Sequence, residues 1–459
     1  MTLKFGTSGL RGLVTDLTPE RVAAHVTAFA AVCPTGGVLY VGRDLRDSSA
    51  RIAEDVARAA QAAGLRVVDC GEVPTPALAL ASIRAGAAAV MVTGSHIPAD
   101  RNGLKFYVPT GEISKADEAA ILTMRSMPEG TMPGPAPVRD DGAGAAYVAR
   151  YVAAFGTAAL SCMRIGVYSH SAVGRDLLID ALRALGAEVR EFGRSDIFIP
   201  VDTEALDPSV HEMLRGWAQG LDAIVSTDAD GDRPLVADAS GKVVGGDILG
   251  QIAAQAIGAR VVVTPVSSNG GMEEKGFGTV IRTRIGSPYV IAAMEGQEGA
   301  VGYEANGGFL LGFDAAGPHG PLPALMTRDS LLPIVAVLVQ SRRRGLADLV
   351  AAEPSRFTAS DRLTNVPSER GQALVERLTH DDAARAEFLA SLVGAATDTG
   401  NDAGLDLTDG LRITLPDERV VHIRPSGNAP ELRIYVEAGE AEAASGLLAL
   451  AREAVAARL

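Results

Sequence analysis

Ala87-Ala88-Ala89-Val90-Met91-Val92-Thr93-Gly94-Ser95-His96-Ile97-Pro98 is an apolar run that breaks into a polar loop. The run from Ala87 to Val92 reads as a buried strand of a parallel sheet. Gly94, Pro98 and then Gly103 argue against a regular helix or strand immediately afterwards. Ser95 therefore stands on a loop at a strand's carboxyl end, which is where open α/β sheets bind ligands and do chemistry. Lys105, ten residues on, has the reach to return a positive charge to the same mouth. Alone, the stretch reads more simply as a polar turn that happens to hold a serine, and its neighbours have to decide.

The βαβ pattern extends on both sides of this loop. Gly36–Gly42 reads as a strand. Ser48–Ala63 reads as an amphipathic helix, with Ile52, Val56 and Ala59 at helical spacing and Ser48 as N-cap. Gly64 ends the helix and Leu65–Asp69 is the next strand, which makes a parallel crossover. The cycle returns at Arg164–Tyr168, Val173–Leu185 and Glu188–Glu191, and more weakly at Val261–Thr264 and Thr279–Thr283. Helix-Gly-strand junctions are common, so the repeat by itself proves little. Met127–Gly144, rich in Pro, Gly and Asp, reads as a linker, and a second boundary falls near Gly246–Leu249. From about Asp361 the pattern changes to a polar helix (Gln372–Leu378), strands at Leu411–Leu415, Val420–Ile423 and Glu431–Val436, and a final helix, Ala441–Arg458. The expected fold class is α/β: three tandem related α/β domains with mixed sheets (1–140, 145–247, 248–355) and a smaller C-terminal α+β domain (361–459).

The chain has 459 residues, of which 47% are apolar, so large cores are expected and global disorder is excluded. A net charge of −14 argues against a nucleic-acid partner. It leaves an anionic substrate open, because a few local Arg and Lys side chains outweigh the mean field. Three scattered cysteines, Cys33, Cys70 and Cys162, do not make a disulfide framework or a zinc site, which suggests a reducing, cytoplasmic setting. Met1–Gly12 has no apolar core of a signal peptide. Apolar runs such as Leu331–Val339 fall short of the ~20 residues a spanning helix needs, so no membrane partner is expected.

Four further loops carry chemistry. Asp228-Ala229-Asp230-Gly231-Asp232-Arg233 lies between two strands, and Gly231 can bend the chain so that three carboxylates converge. Crowded carboxylates need a cation, and hard oxygen ligands suit Mg²⁺. An EF-hand loop fails, because Arg233 stands where that loop needs Gly and Ala239 where it needs Glu. A solvated acidic turn is the plain alternative. Arg424-Pro425-Ser426-Gly427-Asn428 offers a guanidinium fork and hydrogen-bonding groups for a phosphate, or is a simple hairpin turn. Gly302-Tyr303-Glu304-Ala305-Asn306-Gly307-Gly308 presents a carboxylate and an amide suited to a polyhydroxyl ligand, or is a flexible loop. Phe5–Gly12 holds Arg11 in an amide-rich turn suited to an anion.

Together these five loops resemble the α-D-phosphohexomutase superfamily, above all its bacterial phosphomannomutase/phosphoglucomutase enzymes, over nearly the whole chain from Gly6 to Arg433. The resemblance implies four domains around one cleft and a reversible isomerase. It would transfer phosphoryl between the 6- and 1-positions of a hexose phosphate through a phosphoserine and a bound hexose 1,6-bisphosphate, which also serves as activator. Residue by residue it implies Ser95 as the phosphoryl carrier and Asp228, Asp230 and Asp232 as Mg²⁺ ligands, completed by a phosphoserine oxygen. Arg11 and Lys105 would flank the reacting phosphate, with His96 beside the serine. Glu304 and Asn306 would meet sugar hydroxyls. Arg424, Ser426, Gly427 and Asn428 would grip the other phosphate, and Arg284 would be a basic residue of the third domain. The stretch Arg424–Arg433 points to mannose phosphate, with glucose and glucosamine phosphates as alternatives. Two positions depart from the pattern: Ile97 stands where many relatives have Asn, and Gly308 where several have His. A serine hydrolase is the rival class; it lacks the G-x-S-x-G elbow, since Ile97 replaces the second glycine, and adjacent Ser95 and His96 are not expected to face one another. A non-catalytic sugar-phosphate sensor is the third reading.

Overall fold

The computed structural model describes residues 3–6, 9–124, 135–393, 404–426 and 430–459. The chain forms two compact units: Met1–Val263 with Gly286–Val350, and Thr264–Ile285 with Ala351–Leu459. No helix among the described residues is long and apolar enough to cross a membrane.

The first unit holds a two-stranded ribbon, Ala315–Ala316 with Pro321–Leu322, and all or most of three larger sheets, each of which passes from parallel to antiparallel pairing. In the eight-stranded sheet, Val38–Arg43 lies between Arg66–Glu72 and Ala88–Val92, parallel to both. Ala88–Val92 is buried at every residue and pairs on its other side with Arg101–Val108, now antiparallel. In the second sheet, Arg164–Tyr168 is parallel to Glu188–Phe192 and to Ala223–Thr227, and Ala223–Thr227 turns back into Pro234–Asp238. In the third, Val261–Pro265 is parallel to Ala300–Tyr303, which turns back into Phe309–Leu311 and then meets Leu325–Asp329. The sheets are thus mixed. The serine, aspartate and Glu304 loops occupy one equivalent place, the turn where parallel order gives way to antiparallel.

Local chemistry explains most element ends. Gly64 and Gly186 take positive φ (82° and 97°) after their helices, as a residue without Cβ does at low cost. Thr18 accepts from the Arg21 amide and Pro19 opens the helix Pro19–Val32. Leu331–Ser341 is apolar nearly all round and is accordingly buried nearly all round.

Some expectations are corrected. Ser48 stands at the N-cap position as expected, but its side chain makes no capping bond; its hydroxyl accepts from Asn102 Nδ2 at 2.9 Å. Gly103 does not break a strand. It lies inside Arg101–Val108, where a Cβ would sit 2.3 Å from the Leu10 carbonyl oxygen, so its lack of a side chain permits close strand approach. Arg11 is on a strand, Leu10–Leu13, rather than in a flexible turn. Gly302 and Tyr303 likewise end a strand. Of the stretch read as a linker, Val138–Arg139 pairs with Arg66–Glu72, and Gly144 already lies in the helix Ala143–Phe155.

The second unit holds an antiparallel sheet in the order Phe357–Thr364, Glu431–Ala438, Val420–Pro425, Leu411–Thr414, Gly404–Asp406. Its core is Leu411, Ile413, Val421, Ile423, Leu432 and Ile434, packed with residues of the helices Ser368–His380, Asp382–Val393 and Ala441–Ala456. Strand Phe357–Thr364 and helix Asp382–Val393 were not anticipated, because neither has a clean apolar period.

Gly103→Ala should lower the melting temperature, at about 1–3 kcal/mol for a forced strand separation. Gly446→Ala, on an exposed helix face with nothing within 4 Å, should be neutral or slightly stabilising. Thermal unfolding of both variants checks the contrast.

Candidate active site

Ser95 is 1% exposed and adopts φ 51°, a left-handed backbone that non-glycine residues hold only when their surroundings impose it. The imposing group is Arg46. Its Nη2 donates to the carbonyls of Ser95 (2.7 Å) and Ile97 (2.6 Å), and its Nη1 to those of Pro98 (2.8 Å) and Arg101 (3.0 Å). Asp44 receives Arg46 Nε at 3.2 Å and Thr93 Oγ1 at 2.7 Å, and Thr93 Oγ1 in turn accepts from the Ser95 amide at 2.8 Å. Phe198 covers the guanidinium face at 3.9 Å. Gly94 is required here, since a Cβ would lie 2.7 Å from Arg46 Cζ.

This clamp aims the serine at the aspartate turn. Ser95 Oγ donates to Asp228 Oδ2 at 2.6 Å. Asp228, Asp230 and Asp232 are wholly buried, and each offers an oxygen within 4.8 Å of the others. Lys105 Nζ donates to Asp230 Oδ2 at 2.6 Å and also to Asp232 Oδ2. Thr75 Oγ1 donates to Asp230 Oδ2 at 2.7 Å. Burial and the charges of Asp230 and Asp232 push the Asp228 carboxyl well above its ordinary range. Burial pushes Asp230 the same way, but the Lys105 ammonium and the hydrogen bonds from Lys105, Asp228 and Thr75 together hold that carboxyl below the ordinary range. Asp230 Oδ1 and Asp232 Oδ1 are buried with no hydrogen-bond partner. Orphaned carboxylate oxygens in a three-carboxylate turn fit a hard divalent cation such as Mg²⁺.

Arg11 pairs in register with Gly103, beside Lys105. Burial, then the charges of Arg233 and Arg328, lower its guanidinium to about 10, partly offset by Asp230 and Asp232. His96 does face the serine, contrary to expectation: its Nδ1 is 3.3 Å from Ser95 Oγ. The same Nδ1 lies 2.9 Å from Arg233 Nη1, and because a guanidinium only donates, the nitrogen's lone pair is spent there. Burial, then Arg233 and Arg11, push the imidazole down to about 2. It is poorly suited to take the serine proton, so a Ser-His hydrolase gains nothing from the proximity.

Glu304 and Asn306 share a tight turn in the same unit. Asn306 Oδ1 accepts from the Gly308 amide at 3.0 Å, so this atom is engaged in building the turn. Glu304 is 5% exposed, and its Oε2 has no hydrogen-bond partner. Beside Gly308 lies Arg328: a Cβ at 308 would be 3.0 Å from Arg328 Cδ.

In the second unit, Asp409 joins two of the anticipated groups. Its Oδ2 lies 2.7 Å from Arg424 Nε and accepts from the Ile285 amide, next to Arg284, at 3.1 Å. The Ser426 amide donates to the Glu431 carbonyl at 2.8 Å. Gly427 and Asn428 lie outside the described residues.

Arg46, Asp44, Thr75 and Arg328 were missed from sequence. Asp44 and Arg46 left a trace, as charges just past the carboxyl end of an apolar strand, the same signal that singled out Ser95. Arg328-Asp329 abuts the most apolar helix among the described residues, which marks a buried charge.

Comparison with known proteins gives concordant results. Residues 2–126 match the family described as phosphoglucomutase/phosphomannomutase, alpha/beta/alpha domain I, residues 245–357 its domain III, and residues 363–454 its C-terminal domain. A protein of Sinorhizobium fredii named phosphomannomutase is 46% identical, with 97% of each chain covered. One of Salmonella muenchen with the same name is 42% identical, over 97% of this chain and 94% of that one. A crystal structure of a phosphoglucomutase/phosphomannomutase family protein from Burkholderia thailandensis aligns with TM-score 0.77 at 20% identity, over 98% of this chain and 97% of the other.

Arg46→Lys, which keeps the charge but loses the fork, should speed amide hydrogen exchange across residues 93–101 about tenfold or more, since each lost charge-assisted bond is worth about 1.5–3 kcal/mol. Unchanged exchange would mean that the serine loop holds its own shape.

Proposed function

The chain belongs to the phosphoglucomutase/phosphomannomutase family, and from that premise we propose that it interconverts mannose 6-phosphate and mannose 1-phosphate through phosphorylated Ser95 and bound mannose 1,6-bisphosphate. The observation that carries the reading is the 2.6 Å approach of Ser95 Oγ to Asp228, inside a buried trio of carboxylates with a lysine against it. A hydroxyl, hard oxygen ligands and fixed cations are the parts that phosphoryl transfer needs.

In the forward direction a sugar hydroxyl loses its proton and takes the phosphoryl group as the bond from phosphorus to Ser95 Oγ breaks, and Ser95 Oγ gains a proton in its place. The bisphosphate then reorients, and its other phosphate returns to Ser95. Asp228, Asp230 and Asp232 would hold Mg²⁺ together with a phosphoserine oxygen. Bound there, the ion supplies positive charge to the phosphoryl oxygens. Lys105 and Arg11 add fixed cations, and the Arg46 clamp holds Ser95 in one orientation, so that little reorganisation is needed in the reaction. His96, with Nδ1 occupied by Arg233, orients rather than titrates. Glu304 and Asn306 meet sugar hydroxyls. Arg284, Arg424, Ser426, Gly427 and Asn428 bind the phosphate that is not reacting, with Asp409 orienting Arg424. A hexose 1,6-bisphosphate loads Ser95 and so acts as activator. Three unpaired cysteines, one of them exposed, suit a reducing cytoplasm.

Ser95→Ala should lose turnover by orders of magnitude in a coupled assay while still binding sugar phosphate. Near-normal turnover in that variant, or inorganic phosphate as the main product of the wild type, would overturn the reading. Stripping divalent ions with EDTA should abolish activity, and Mg²⁺ should restore it. A comparison of kcat/KM for the 1-phosphates of mannose, glucose and glucosamine should rank mannose first; a higher value for either other sugar would reassign the substrate.

A further inference from the structure

Arg328 is among the largest wholly buried side chains of the protein, at 2% exposure, and it touches a carboxylate from each of the three α/β segments. Its Nη2 lies 2.9 Å from Asp232 Oδ2, in the aspartate turn of the second sheet. Its Nε lies 3.5 Å from Glu112 Oε1, at the edge of the first sheet. Its Nη1 lies 3.7 Å from Glu304 Oε2, in the turn of the third. A buried guanidinium is tolerated only where anions surround it, so its three neighbours fix where it sits and it fixes them.

The backbone around Arg328 is pinned as well. Ser330 Oγ donates to the Gly231 carbonyl, in the middle of the aspartate turn, at 2.8 Å. Asp329 accepts from Tyr147 Oη at 2.5 Å and from Tyr151 Oη. Glu112 is held in turn by Ser287 Oγ at 2.8 Å. The arginine is therefore a short strut between anchored points. Its stem also fills the room a side chain at 308 would need, with Cδ 3.0 Å from a Cβ built there.

Glu304 is where this arrangement has an effect. Its Oε2 faces the guanidinium at 3.7 Å, too far for a hydrogen bond and near enough for attraction, and no other group satisfies it. The acceptor is thus directed while its hydrogen-bonding capacity stays open for a ligand hydroxyl. On balance burial, with Glu112 and Asp232, leaves this carboxyl above its ordinary range, and Arg328 and then Arg233 limit the rise.

We propose that Arg328 is a positioning residue that holds Glu304 as an open acceptor for a sugar hydroxyl, at a set distance from the aspartate turn that handles the phosphoryl group. The proposal rests on the reading of Glu304 as a sugar contact, and it makes sugar binding and phosphoryl positioning depend on one side chain.

The test is a double-mutant cycle on the full-length enzyme. Binding of mannose 1-phosphate is measured by calorimetry for the wild type, Arg328→Lys, Glu304→Gln and the double variant, with kcat and KM in parallel. Arg328→Lys should weaken binding and raise KM about tenfold or more, and the double variant should bind no worse than the weaker single variant. Losses that multiply, or a normal Kd with only a lower melting temperature, would overturn the proposal. Gly308→Ala, which crowds the Arg328 stem without removing a charge, should raise KM in the same direction by a smaller factor; an unchanged KM would count against it. Wild-type isomerisation in the same assay reports on the underlying function, so failure of that function is told apart from failure of the cycle.

Discussion

The site depends on the compensation of charge taken out of water. Asp228, Asp230 and Asp232 follow one another at alternate positions, and all three are fully buried. An uncompensated buried carboxylate costs several kcal/mol, and deleting one partner of a buried pair typically costs about 3–5 kcal/mol. The turn cannot supply all of its own cations. Lys105 comes from the first sheet and Arg328 from the third, and both converge on Asp232. Matching these anions therefore ties three sheets together at one place, and a place so matched is also where a phosphate and its metal would be at home.

The same topological event makes each contributing loop. A fully buried parallel strand ends, the chain turns, and an antiparallel partner begins: Ala88–Val92 into Arg101–Val108, Ala223–Thr227 into Pro234–Asp238, Ala300–Tyr303 into Phe309–Leu311. The turn sits at the carboxyl end of the strand, the usual mouth of an α/β sheet. One repeated unit has thus been given three kinds of side chain, a hydroxyl, a set of carboxylates, and a carboxylate with an amide.

The parallel part of that repeat was legible in outline from sequence, while the antiparallel return was read only after the aspartates, since Gly103 was taken as a strand breaker and Gly302–Gly308 as a loop. Ser95 and the aspartates stood out because polar groups follow directly on apolar strands. Arg46 and Arg328 did not, because their importance lies in contacts far along the chain: Arg46 bonds carbonyls about fifty residues on, and Arg328 reaches carboxylates at 112, 232 and 304. Nothing local to an arginine announces which distant oxygens it will meet. Gly103 misled for a related reason: a glycine reads as a breaker until the opposing backbone is known. Strand Phe357–Thr364 was invisible because it is mostly exposed and alternates poorly.

The left-handed backbone at residue 95 limits which amino acid can stand there. A β-branched side chain is a steric outlier at φ 51°, because its second substituent on Cβ crowds the chain. Threonine carries the same hydroxyl but would have to unwind the turn to fit. The alcohol at this position is therefore confined to the primary one by torsional geometry, before any question of its reactivity arises.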